Sequence, residues 1–165
     1  MSEHELHRQV EANFAVLTIS DSRTEETDLS GKKAQDLILQ EGHQVLTYKV
    51  VPNDQDQIQT VIKDLTSNPE IDVIFTTGGT GISHRDLTVE TVSPLLDKEM
   101  EGFGELFRRL SYQEIGEAAM ISRATAGTIQ DKIIFCLPGS KNAVKLALTK
   151  LILPGIGHIL EEARR

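Results

Sequence analysis

Hydrophobic and polar positions follow two rhythms along this chain. The continuous apolar run at 14–20 reads as a strand, because a strand covered on both faces needs apolar side chains on both, and the apolar-rich segments 71–77 and 132–137 read as strands too. Residues 44–51 read as a further strand. Between these runs the apolar residues recur at the three- and four-residue spacing of a half-buried helix. Ala34, Leu37 and Ile38 form one such stripe, and Ile58, Val61, Ile62 and Leu65 a second. Phe103, Leu106, Phe107 and Leu110 form a third, and Val144, Ala147, Leu148 and Leu151 a fourth. Gly42 and Asn68-Pro69 stop the first two helices, and Pro52-Asn53-Asp54 marks a turn and helix cap. Thr88 is expected to cap a short helix with Glu90 in its first turn. Residues 120–129 are expected to be extended and irregular, with a hairpin turn at Gln130-Asp131 and a separate terminal helix after residues 154–158. Strands alternating with helices predict an α/β fold, a three-layer α/β/α arrangement with a mostly parallel sheet covered on both faces. A flexible N-terminal arm at 1–12 is expected to precede one domain at 13–165.

Composition narrows the possible functions. The 165 residues suit one domain. With 25 acidic against 17 basic residues the net charge is −8, which argues against non-specific binding to nucleic acid or an acidic membrane. The absence of Trp argues against stacking platforms for single strands. Cys136 lies in an apolar run and reads as an inert core thiol, and a single cysteine forms no disulfide within the chain. The polar N-terminus lacks the apolar stretch of a signal peptide, and no apolar run is expected to span a bilayer. The expected location is cytoplasmic.

The chemistry concentrates in the segment 71–90. A buried strand runs into Thr76-Thr-Gly-Gly-Thr-Gly81, and the start of a helix follows. Glycines let bare N–H groups approach a ligand, and a helix N-terminus adds partial positive charge. The loop lacks the Lys-Ser/Thr pair of a P-loop, and its glycine spacing is wrong for a dinucleotide fingerprint. Asp86 follows closely. A carboxylate beside a bound phosphate repels it unless a cation intervenes, so the pattern points to a phosphate-bearing ligand handled with Mg²⁺. Two readings stand for Asp86, this one and a simple helix cap. Asp21 and Asp28 read equally as ligand contacts or as loop residues bonding their own backbone. Three polar segments, 20–31, 76–86 and 138–140, fall at the carboxyl edge of the predicted sheet, where such folds bind ligands. His84 has no partner at metal-ligand spacing.

Several motifs in order carry a family resemblance: Thr18-Ile-Ser-Asp-Ser22, Asp28-Leu-Ser-Gly31, the glycine loop, Arg85-Asp86-Leu-Thr88, residues 99–105, Ser122-Arg123 and Leu137-Pro-Gly-Ser140. Over essentially its whole length the chain resembles the MoaB/Mog family of molybdenum-cofactor biosynthesis proteins, found also as a domain in gephyrin. Residues 102–112 look closer to the MoaB branch. The resemblance implies homotrimers or homohexamers, molybdopterin binding and, in active members, Mg²⁺-dependent adenylylation of molybdopterin by ATP. In that reaction the terminal phosphate of molybdopterin attacks the α-phosphate of ATP and pyrophosphate leaves. The product passes to a molybdenum insertase. On this reading Thr77, Gly78, Gly79, Thr80 and Gly81 hold a ligand phosphate, and Asp86 holds Mg²⁺ directly or through water. Ser20, Asp21, Ser22 and Asp28 line the neighbouring edge. Ser122 and Arg123, the latter suited to phosphate by its forked guanidinium, join Pro138, Gly139 and Ser140 at the ligand. Active relatives carry an acidic residue in the turn after the second strand. Asn53 stands there in this chain, so the catalytic role falls to Asp54 or is lost. The rival expectation is a molybdopterin- or precursor-binding protein without catalysis.

Overall fold

The structure is a computed structural model that describes residues 10–165. Most of the expected arm lies outside the described residues. Its last residue, Ala12, is fully buried and donates its N–H to His43 Nδ1 at 3.0 Å, so packing begins before the first strand. The strands are β1 (Asn13–Ile19), β2 (Gln44–Val51), β3 (Val73–Thr77), β4 (Lys98–Glu99), β5 (Thr125–Ile129) and β6 (Lys132–Leu137). The helices are α1 (Leu29–Gln40), α2 (Gln55–Ser67), α3 (Thr88–Val92), α4 (Glu101–Ile115), α5 (Lys141–Ala147) and α6 (Leu153–Ala163).

One six-stranded sheet has the order β2-β1-β3-β6-β5-β4. The first four of these strands are parallel, and β5 and β4 are antiparallel additions. The alternation of a pleated strand sorts the core into two layers. From β3 and β6, Val73, Phe75, Ile133 and Phe135 point to one face, packed with Ala34 and Ile38 of α1, Phe103 and Phe107 of α4 and Leu148. Ile74 and Ile134 point to the other, against Ile58 and Ile62 of α2 and Val92 of α3. Each such side chain contributes roughly 1.5–3 kcal/mol on burial. The expected three-layer α/β/α fold with a mostly parallel sheet is therefore observed.

Five local expectations are corrected. Residues 120–129 are not irregular: a 3₁₀ segment, Gly116–Ile121, precedes β5. Gln130 takes φ 58° in the β5–β6 turn. The apolar stripe of α4 is narrower than its spacing suggests, because Leu106 is 50% exposed while Phe103 and Phe107 are buried. Thr88 caps nothing: the residue before α3 is Leu87, which makes no side-chain cap bond, and the Thr88 hydroxyl has another task described below. Finally, α5 and α6 are one continuous 23-residue helix, joined by the π-helical segment Leu148–Ile152 that admits Pro154. This helix is long and apolar enough to cross a bilayer by length and composition, contrary to the expectation. Its inward residues Val144, Leu148, Ile152, Ile156 and Leu160 are buried in the core, which accounts for its apolar character.

Candidate functional site

The chain leaves β1, β3 and β6 at the same edge of the sheet. β1 connects to β2 on one side and the chain returns as β3 on the other, so a crevice opens there. Gly78 is squeezed into it. Its N–H donates to Leu137 O at 2.8 Å, and a Cβ would lie 2.2 Å from Ile19 O. Gly78 and Gly79 take φ values of 102° and 72°, a left-handed region open to glycine. Thr77 Oγ1 donates to Pro138 O at 2.8 Å, which ties the glycine loop to the turn after β6.

The next four carbonyls are all engaged. Gly78 O accepts from Thr88 Oγ1 at 2.8 Å, and Gly79 O from Thr88 N at 3.0 Å. Thr80 O and Gly81 O accept from Arg123 Nε at 3.3 and 2.8 Å. The N–H groups of Gly79, Thr80 and Gly81 meet no acceptor among the described residues. Such consecutive free amides form an anion nest. They border a cavity of about 410 Å³ lined by residues 78–81, Asp86, Ser122 and the turn Pro138-Gly139-Ser140. The rest of the lining is mostly apolar, with Phe107, Ile115, Ala118, Ile121 and Leu146, and Ser111 and Glu114 of α4 stand among them. Ser122 Oγ is buried in this lining without a hydrogen-bond partner, so it is an available donor. Ser140 caps α5 by accepting from Ala143 N at 3.1 Å, which leaves its O–H free to donate.

Asp86 sits against Gly81. Its Oδ2 accepts from Ser83 N at 2.9 Å and so braces the loop, while Oδ1 has no hydrogen bond among the described residues. The helix-cap reading of Asp86 is corrected: its bond runs back to Ser83 N in the loop, and α3 has no side-chain cap, because Leu87 stands at its N-cap. The donor set fits Mg²⁺, which commonly binds one or two carboxylates together with substrate phosphates and water. Asp86 is the residue that would hold it. No group of three His, Cys, Asp or Glu residues suited to a protein-only metal cage occurs among the described residues.

Other expected contacts fall elsewhere. Asp28 is buried and caps α1. Its carboxylate accepts from Thr18 Oγ1 at 2.6 Å, Gly31 N at 2.9 Å and the Tyr48 hydroxyl. Burial and the bond to Asp28 push the Tyr48 hydroxyl above its ordinary pKa, keeping it a donor. Ser20, Asp21 and Ser22 do not line the cavity. Ser20 Oγ accepts from Ser22 N and Arg23 N at 3.2 and 3.1 Å, and Asp21 Oδ1 accepts from Asn53 N at 2.8 Å. Asp54 is exposed and caps α2 through Gln57 N at 2.9 Å. Asn53 is the residue turned to the loop: its Oδ1 accepts from Leu87 N at 3.2 Å and approaches Gly79. Arg123 lies behind the loop, in a two-pronged pair with Glu90, whose carboxyl it holds below the usual range by hydrogen bonding. Cys136 is fully buried, its thiol pushed up to about 12 by that burial. Thr88, Glu90 and the apolar wall were not anticipated as parts of the site. The helical spacing of Phe107 and Ser111 was the only signal for the wall.

Comparison with known proteins now decides the kinship. The family described as "Probable molybdopterin binding domain" matches residues 15–158. Molybdenum cofactor biosynthesis protein B of Bacillus cereus is 49% identical over 166 residues, covering 100% of this chain and 98% of that protein. The chain belongs to the molybdenum cofactor biosynthesis protein B family. The corresponding Bacillus subtilis member is 46% identical over 151 residues, covering 91% of this chain and 89% of its own. A crystal structure of a molybdenum cofactor biosynthesis protein B superposes with TM-score 0.92 at 51% identity, covering 94% of this chain and 98% of that one. The tungsten cofactor synthesizing protein MoaB from Pyrococcus furiosus gives TM-score 0.82 at 41% identity, covering 94% and 98%. The family's molybdopterin-binding domain therefore spans the sheet, the glycine loop and the cavity described above.

Proposed function

We propose that this protein binds molybdopterin in the cavity beside the glycine loop and adenylylates it with ATP. The observation that carries this reading is the row of three amides at 79–81 that meet no acceptor among the described residues, in a loop bordering a cavity whose remaining lining is mostly apolar. The amides suit a phosphate, and Phe107, Ile115 and Ile121 suit a flat heterocycle. Phosphoryl-type transfer needs positioning and charge neutralisation more than covalent help from the protein. The loop fixes one phosphate, Ser122 and Ser140 donate to the ligand, and the apolar wall excludes water. Asp86 would hold Mg²⁺, which would supply charge neutralisation for the phosphate oxygens. An oxygen of the molybdopterin phosphate bonds to the α-phosphorus of ATP as the bond to pyrophosphate breaks. The adenylylated product then passes to a molybdenum insertase. Mixing purified protein with molybdopterin, ATP and Mg²⁺ is expected to release one pyrophosphate per adenylylated product, followed by a coupled phosphate assay.

One observation favours a second reading. Asn53 places an amide, not a carboxylate, at the loop, so among the described residues the cavity lining offers Asp86 beside the glycines and Glu114 from α4 as its acids. A non-catalytic molybdopterin-binding protein would show tight pterin binding with no pyrophosphate above background in the same assay.

Self-association into homotrimers or homohexamers is part of the proposal. Tyr112 on α4 and Met120 after it are 64% and 78% exposed and lie outside the cavity lining, an apolar surface suited to a second copy. Sedimentation at micromolar concentration is expected to give a trimer or larger, and a monomer would refute the assembly.

A further inference from the structure

Two residues hold all four carbonyls of the loop, Thr88 from the start of α3 and Arg123 from the segment before β5. Arg123 Nε bridges Thr80 O and Gly81 O, and its backbone N–H adds a bond to Thr80 O at 3.3 Å. Its two terminal nitrogens grip both oxygens of Glu90, which stands in the first turn of α3, two residues after Thr88. Arg123 is absent from the lining of the anion cavity. It lines a second hollow of about 380 Å³ with Glu90, Leu87 and Ile82, and Asp86 borders both hollows.

We propose that Arg123 and Glu90 are positioning residues that lock the peptide groups of Thr80 and Gly81 with their carbonyls away from the anion and their amides toward it. The inference rests on the loop being the anion site. The physical reason lies in the freedom of glycine-rich chain. A peptide unit beside glycine rotates readily, and a flipped unit would present a carbonyl oxygen to the anion instead of an N–H. Arginine suits the clamp because its planar fork offers Nε to the loop and two parallel N–H groups to a carboxylate at once, whereas a lysine ammonium has no such fork. Glu90 fixes the guanidinium angle, and α3 thereby holds every carbonyl of the loop, directly through Thr88 or through Glu90 and Arg123.

Titration calorimetry of the full chain with inorganic pyrophosphate, together with amide hydrogen exchange at 79–81, tests this. Wild-type protein binds the probe. Glu90→Gln is expected to weaken pyrophosphate binding about fivefold and to speed exchange at the loop amides, in keeping with a half-exposed ion pair. Arg123→Lys is expected to weaken it at least about tenfold, since a lysine ammonium lacks the planar fork that reaches both carbonyls and the Glu90 carboxylate at once. A direct phosphate ligand would behave oppositely: removing the competing Glu90 charge would free Arg123 and raise affinity. Higher affinity in Glu90→Gln, or unchanged affinity in both variants, overturns the clamp. Failure of the wild-type protein to bind pyrophosphate overturns the anion site itself and the clamp with it.

Discussion

Asp86→Asn lowers the rate of pyrophosphate release about a hundredfold, roughly 2.7 kcal/mol of transition-state stabilisation, while molybdopterin still binds. Asparagine is the informative replacement. It keeps an oxygen to accept from Ser83 N and a side chain of the same size against Gly81. It removes the negative charge that Oδ1 offers to a cation. Alanine would confuse the two roles, because Ser83 N would lose its acceptor and the loop would lose its brace. The check is steady-state kinetics across a Mg²⁺ titration, with pterin affinity measured separately. An unchanged rate constant at all Mg²⁺ concentrations would make Asp86 a loop brace alone. Loss of pterin binding in parallel with turnover would show that the variant had damaged the loop rather than the chemistry.

Gly78→Ala destabilises the protein by roughly 3 kcal/mol and abolishes pyrophosphate binding. The added Cβ would sit 2.2 Å from Ile19 O, and the residue would have to hold φ 102°. A flexible side chain could swing aside, but Ile19 O belongs to the end of β1, which pairs on both sides in the sheet. The loop must move instead, and the bond from Gly78 N to Leu137 O is the first to break. Thermal unfolding should register a fall of roughly 6–12 °C for a chain of this size. Gly102→Ala is the control: nothing lies within 4 Å of its added carbon, and it sits in α4, so stability should hold or rise slightly. A Gly78→Ala protein with unchanged melting and anion binding would mean that the crevice is looser than its geometry indicates.

Much of the site was legible in the chain order. The run 76–81 followed by Asp86 specifies free amides beside a carboxylate because strand, glycine loop and helix are contiguous, and contiguous chemistry needs no folding to be read. The turn 138–140 was legible for a similar reason, a strand end followed by a helix cap. Asp28 was not. Its neighbours in sequence make it a plausible loop ligand, but Tyr48 and Thr18 come from two strands to saturate its carboxylate. Asp54 and Asn53 are adjacent in sequence, so charge alone favoured the acid. Once α2 begins, Asp54 is taken by the cap, and the turn aims Asn53 at the loop.

The family relationship and the layered α/β architecture were determined by sequence alone, because apolar periodicity and ordered local motifs survive without knowledge of contacts. Tertiary structure alone decided that Arg123 backs the loop instead of facing the ligand, that Glu90 holds it there, and that Phe107 and Ile121 complete the cavity. Those choices depend on which side of a backbone turn a distant segment approaches. Nothing in the spacing of residues 78, 90 and 123 encodes that side; it follows from β5 and β6 pairing antiparallel, which brings residue 123 behind the loop.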